Sequence, residues 1–217
     1  MPNITTLSAA TLKRRLSVYP ENDALKIRLH RSISWLSAAE KQAEDPDLYF
    51  ISLWIAFNAC YAHDGSSATI KTERERLKSF TATLVESDDE QRIFNILWQK
   101  FSGAIRVLLE NKFVFKGFWD FNRGEIQSWE SAFERSNTEA LKYLSANNVA
   151  GLLEILLDRL YVLRNQLIHG GSTYKSKLNR KSVKDGSQIL EMLIPVIIEI
   201  MMQHPGKDWG KLAYPVV

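Results

Sequence analysis

The strongest constraint on this chain is a run of leucines at helical spacing: Leu152, Leu153, Leu156, Leu160, Leu163 and Leu167. Residues three and four apart share one face of an α-helix, so this run must bury that face against other elements. Asn148 precedes it as a natural N-cap, and Gly170 follows it as a residue able to take the left-handed conformation that ends helices. A helix from about Val149 to Gly170 is predicted.

Almost every other segment carries the same period rather than strand-like alternation. A first long helix is expected after Asn22 or Asp23, with Leu25, Leu29, Ile33 and Leu36 on one face. A second begins after Pro46 and runs through Leu48–Tyr61, apolar nearly all round, as suits a buried helix. Gly65-Ser66-Ser67 breaks it, and Ile70, Leu77, Phe80 and Leu84 mark a third. Ser87-Asp88-Asp89-Glu90 reads as a capping box ahead of Ile93, Phe94, Leu97, Trp98 and Phe101. Ser136-Asn137-Thr138-Glu139 reads as another, starting a short helix, whereas Phe113 to Gly124 is aromatic and irregular. The last helix should cover about 182–203 and kink at Pro195, where a backbone donor is missing. The chain thus reads as an all-α, single-domain helical bundle. Residues 1–22 would be a leader carrying Lys13-Arg14-Arg15, residues 23–204 the bundle and 205–217 a tail.

Composition narrows the function. With 217 residues, 45% of them hydrophobic, the chain can bury one substantial core. A net charge of +3 permits an anionic partner without demanding one. The single cysteine, Cys60, excludes an internal disulfide and a cysteine-based zinc site, and its apolar surroundings suit a core residue. Asn58 is the one strong polar group in that apolar helix, where a buried amide would need hydrogen-bond partners. His30, His63 and His204 have no partner at metal-ligand spacing, and capping accounts for Asp88, Asp89 and Glu90, so neither metal nor cofactor is expected. The N-terminus lacks a secretory apolar region, and Pro195 and Glu199 interrupt the most apolar stretch, Met192 to Met202. A cytoplasmic protein without a membrane span is expected. No Gly-rich phosphate loop or Gly-x-Ser-x-Gly elbow is present.

The residues best equipped for chemistry close the leucine helix: Arg164-Asn165-Gln166-Leu167-Ile168-His169-Gly170-Gly171. A guanidinium fork suits phosphate, and an imidazole moves protons near neutral pH. Asn165 and His169 share a face, but Arg164 and His169 stand about 140° apart on a regular helix. The glycine pair would let the backbone unwind at His169, swinging the imidazole back over the turn that carries Arg164. The plainer reading makes His169 a helix-end cation, Arg164 part of a surface ion pair and Asn165 a carbonyl cap. Beyond the motif come Lys175, Lys177, Arg180, Lys181 and Lys184, with no acid until Asp185 and with Tyr174 among them. Such a run is commonly a solvated face, but beside this site it suits an RNA backbone, with Tyr174 as a stacking surface.

The stretch Tyr161 to Gly171 closely resembles the motif of HEPN domains, in particular the Apea-like group. Asn179-Arg180, followed by Val183-Lys184-Asp185-Gly186, resembles its downstream part, and Leu53-Trp54-Ile55-Ala56-Phe57-Asn58-Ala59 its second signature helix. The resemblance covers roughly residues 25–203. It implies a helical bundle, a homodimer formed through the motif helix, and metal-independent cleavage of single-stranded RNA by 2′-OH attack. Arg164 would then stabilise phosphate charge, His169 would move protons, and Asn165 would hold the imidazole or the phosphate. It also implies a toxin or defence effector, with a neutralising antitoxin as partner. Some members only bind RNA or nucleotides, so a non-catalytic binding or dimerisation module stands as the alternative.

Overall fold

The computed structural model describes residues 7–18, 23–62 and 73–215, and every regular element among them is a helix. The all-α expectation therefore holds. The chain gathers into two compact units, residues 1–93 with 190–217, and residues 94–189.

In the first unit, α1 (Ala9–Ser17) lies within the stretch read as a leader. Ser8 caps it by accepting from the Thr11 amide, Ala9, Leu12 and Leu16 are buried, and the helix packs on α2 (Asp23–Glu40). Its Arg15 forms an ion pair with Glu199. Next, α3 (Pro46–Tyr61) starts where expected, with Pro46 in its first turn and Asp45 accepting from the amides of Asp47 and Leu48. Its rings continue into α4 (Glu73–Glu86): Phe57 stacks against Tyr61 at 5.1 Å, Tyr61 against Phe80 at 5.9 Å, and Phe80 against Trp209 at 6.0 Å. The expected break at Gly65-Ser66-Ser67, together with His63 and Ile70, lies outside the described residues.

The largest buried polar side chain described in this unit is that of Arg28, 1% exposed, whereas Asn58 is only half-buried. Arg28 donates to the carbonyls of Cys60 at 3.0 Å, Ala62 at 2.8 Å, Gly210 at 2.9 Å and Lys211 at 3.1 Å. A guanidinium carries enough donors to satisfy carbonyls left over at a helix end and to hold a second segment. Burial displaces its pKa downward. Cys60 is fully buried, donates to Ser32 Oγ at 3.2 Å, and has its thiol pushed up to about 11 by burial.

The cap of α5 (Arg92–Lys100) corrects the expected box. Asp88 does the capping, accepting from the amides of Arg92 at 3.0 Å and Ile93 at 2.7 Å, while Ser87 donates back to Thr83 O at 2.8 Å. Gln91 at φ 52° delays the helix start, which puts Asp88 rather than Ser87 within reach of the free amides.

In the second unit, the end of α5 passes through a π-helical turn, Phe101–Ile105, where Gly103 leaves helical geometry, into α6 (Arg106–Glu110). The aromatic stretch expected to be irregular forms a 3₁₀ turn, Lys112–Val114, and α7 (Lys116–Asn122). Then α8 (Glu130–Ser145) begins well before Ser136, so that serine is not a cap. Ser136 Oγ instead accepts from Arg159 at 3.0 Å, a bond between helices that no local pattern encodes.

The leucine helix, α9 (Val149–Ile168), is capped as expected by Asn148, which accepts from the Gly151 amide at 3.0 Å. A Cβ on Gly151 would lie 2.8 Å from the Tyr143 ring, so glycine lets α8 and α9 approach closely. Arg159 is buried on α9, its guanidinium 4.6 Å from the Phe115 centroid and 5.5 Å from that of Phe133. Burial lowers its pKa to about 10, with Asp158 opposing. The last helix, α10 (Arg180–Gln203), starts two residues earlier than expected and contains Pro195.

Candidate functional site

The site residues come from the last turn of α9. His169 is the C-cap, at φ −92° and ψ 14°, and its amide still donates to Asn165 O at 3.0 Å. Gly170, at φ 69°, is the residue that leaves the helix. The backbone thus does not unwind at His169, contrary to expectation. A residue with a Cβ loses roughly 1–2 kcal/mol in the left-handed region and glycine does not, so the change of hand falls one residue later. His169 consequently keeps its helical bearing, about 140° around the axis from Arg164.

Arg164 and Asn165 are brought together. Arg164 Nη1 donates to Asn165 Oδ1 at 2.8 Å, and the guanidinium lies 5.4 Å from the Tyr161 ring centroid. Both residues are half-buried, which favours a fixed geometry over a mobile one. His169 is exposed, and its imidazole makes no hydrogen bond or ion pair among the described residues. Asn165 Oδ1 therefore holds the guanidinium within this chain, and not the imidazole. The last turn presents a fixed cation on one side and an open imidazole on another.

The loop after the motif starts against the last turn of α9 and is closed on itself. A Cβ on Gly171 would come 3.3 Å from Gln166 O, and Asn179 Nδ2 donates to Ser172 Oγ at 2.8 Å, closing the loop at its neck. Beyond that neck Tyr174 is 58% exposed, with Lys175 Nζ 5.0 Å from its ring centroid. Lys177 is exposed, and Leu178 is 99% exposed. Arg180 and Lys181 are not loop residues, since they form the first turn of α10. Lys181 Nζ lies 3.1 Å from Asp185 Oδ2, an i,i+4 pair that offsets its charge. Lys184 is exposed on the same helix. Of the five residues assigned to RNA, Tyr174, Lys175 and Lys177 form the loop surface, while Arg180 and Lys181 belong to the helix start.

Sequence reasoning missed Gln166. Its Nε2 donates to Phe113 O at 2.5 Å, and Trp119 Nε1 donates to the same oxygen at 2.8 Å. That carbonyl ties α9 to the aromatic stretch. The density of rings from Phe113 to Phe133 was the available signal, but nothing local to Gln166 points fifty residues back.

Among the described residues, no group of three or more His, Cys, Asp or Glu is placed to hold a metal ion. Nor is any helix among them long and apolar enough to cross a membrane. No protein-family model, no curated protein and no solved structure matches this chain.

Proposed function

We propose that the protein is a metal-independent endoribonuclease of the HEPN type, cleaving single-stranded RNA in the cytoplasm as a toxin or defence effector. The observation that carries this reading is the end of α9, where a guanidinium fixed by Asn165 is followed five residues later by an exposed imidazole. In the reaction the RNA 2′-oxygen attacks the adjacent phosphorus and loses its proton to a base. The bond to the 5′-oxygen breaks, and an acid protonates that oxygen. The products are a 2′,3′-cyclic phosphate and a 5′-hydroxyl. Arg164 stabilises the charge on the phosphoryl oxygens, and His169 moves the protons.

One chain offers one such histidine, whereas the reaction needs a base and an acid. A two-fold dimer through the motif helix supplies both from the same position. It also accounts for an imidazole that stands open on its own chain, about 140° from its own Arg164. An antitoxin covering the same face is the partner this arrangement suits.

A non-catalytic RNA-binding module of the same fold is the second reading, favoured by the lack of any orienting partner for His169 among the described residues. Incubating the purified protein with mixed RNA in excess chelator separates the two. The enzyme yields fragments ending in cyclic phosphate, and His169→Ala does not. Intact RNA that stays bound supports the module, and RNA neither bound nor cut removes both.

A further inference from the structure

Ahead of α8 the chain gathers rings that the core does not require. The Lys112 ammonium lies 5.4 Å from the centroid of Phe113, 5.4 Å from that of Phe118 and 6.0 Å from that of Trp129. The rings meet edge to face, Phe113 with Phe118 at 5.3 Å and 83°, and Phe118 with Trp129 at 5.2 Å and 89°. Phe115 and Phe133 are accounted for by packing on Arg159. Phe113 is not, since half of its surface (50%) is exposed. Lys112 stands apart from its neighbours too. Lys116 and Arg123 both pair with Asp120, at 2.6 and 2.5 Å, whereas Lys112 meets no carboxylate among the described residues.

This surface is tethered to the motif helix through the Phe113 carbonyl and Gln166. Gln166 precedes His169 by three residues, and His169 keeps its helical hydrogen bond. Helical geometry therefore puts the two about 60° apart around the axis, against about 140° between Arg164 and His169. The rings are anchored on the histidine side of α9.

We propose that Phe113 and Lys112 form a nucleobase subsite for single-stranded RNA, in which a base stacks on Phe113 and the adjoining phosphate pairs with Lys112. The subsite rests on the RNA reading above and extends it from the reacting phosphate to a neighbouring nucleotide. A cationic ligand is disfavoured because the rings already face an ammonium, and a simple anion would leave the exposed ring unused. A nucleotide uses both, through its π-face and its charge.

The test uses the full chain carrying His169→Ala, so that bound RNA is not consumed. Two probes are compared by fluorescence polarisation, a labelled oligouridylate of about ten nucleotides and an oligomer of equal length lacking bases. Phe113→Ala and Phe113→Leu should each weaken oligouridylate binding by about ten-fold and leave the abasic probe unchanged, because stacking needs a π-face. Phe113→Trp should restore or tighten binding, which a merely misfolded protein would not do. Lys112→Gln should weaken both probes. If Phe113→Leu binds oligouridylate as the parent does, or if the parent binds both probes equally, the subsite is overturned while the RNA reading stands. If the parent binds neither probe and the unmutated chain cleaves no RNA, both fall.

Discussion

Arg164 and Asn165, adjacent in sequence, are joined through their side chains, Nη1 to Oδ1 at 2.8 Å. The bond fixes the direction of the carboxamide: its oxygen is turned to the cation, and its Nδ2 is the donor that, on the proposed function, would face a phosphate. Asn165→Asp should therefore damage cleavage more than Asn165→Ala. The carboxylate would neutralise Arg164 and repel the phosphate, whereas alanine only removes a donor. Initial rates on one RNA substrate decide this. Equal losses in the two variants would mean that Asn165 serves only as a donor.

His169→Ala should lower cleavage by on the order of 10²–10⁴-fold with little change in stability, since the ring is exposed and supports no packing that folding depends on. Arg164→Lys should also be impaired, because a point charge cannot reproduce the planar fork held by Asn165. Single-turnover rates beside thermal melts check both, and a His169→Ala protein as active as the parent sinks the assignment.

Salt dependence separates the loop lysines from the helical one. Replacing Lys175 and Lys177 with glutamine should reduce the slope of log affinity against log salt, by about 0.7 for each phosphate of single-stranded RNA that is no longer neutralised. Lys181→Gln should change it less, because Asp185 already offsets that charge at 3.1 Å. Filter binding across a salt series gives all three slopes.

Cys60 predicts a pH effect on stability. The exposed thiol ionises near 9.0, and burial raises the folded value to about 11. Below pH 9.0 both states hold the proton and its stabilisation is complete. Above it only the folded state does, so stability falls by up to about 1.4 kcal/mol per pH unit until the folded thiol also ionises. Tyr49 is displaced in the same direction, by burial and then by Glu191, so the comparison needs a variant. Urea midpoints of the parent and Cys60→Ala, measured from neutral to alkaline pH, should converge as pH rises. A gap that stays constant would rule out the thiol as the cause.

Arg159 offers a test of packing against charge. Arg159→Ala empties the space against the Phe115 and Phe133 rings, which themselves touch with centroids 5.3 Å apart, and should cost about 2–4 kcal/mol. Arg159→Met fills that space without a buried cation and should stay within about 1 kcal/mol of the parent. Guanidinium-chloride unfolding measures both, and a methionine variant as unstable as alanine would mean that the cation itself holds the rings.

What the sequence revealed and what it hid follow one division. The extent of α9 was legible because its leucine period, the Asn148 cap and the Gly170 stop all act within a few residues. Arg164, Asn165 and His169 could be placed at one helix end for the same reason. The Asp88 cap was misread because it depends on Gln91 adopting a positive φ, which no residue preference announces. The role of Ser136 was hidden because its partner, Arg159, belongs to another helix. Arg28 was closer to reach. It sits three residues after Leu25 and one before Leu29, on the face already assigned to the core, but its carbonyl partners near residue 210 are far along the chain.

The clasp between Ser172 and Asn179 bears on how such a site can diversify. It joins the ends of a six-residue excursion, 173–178, that carries Tyr174, Lys175 and Lys177. With the neck held, added residues change only the size of a closed loop, and doubling its length costs only about 0.6 kcal/mol. The position of His169 is set by its own hydrogen bond to Asn165 and by Gly170, both upstream of the neck. Insertions and exchanges in the excursion can therefore accumulate, altering the exposed surface of the loop while the helix end at His169 stays as it is.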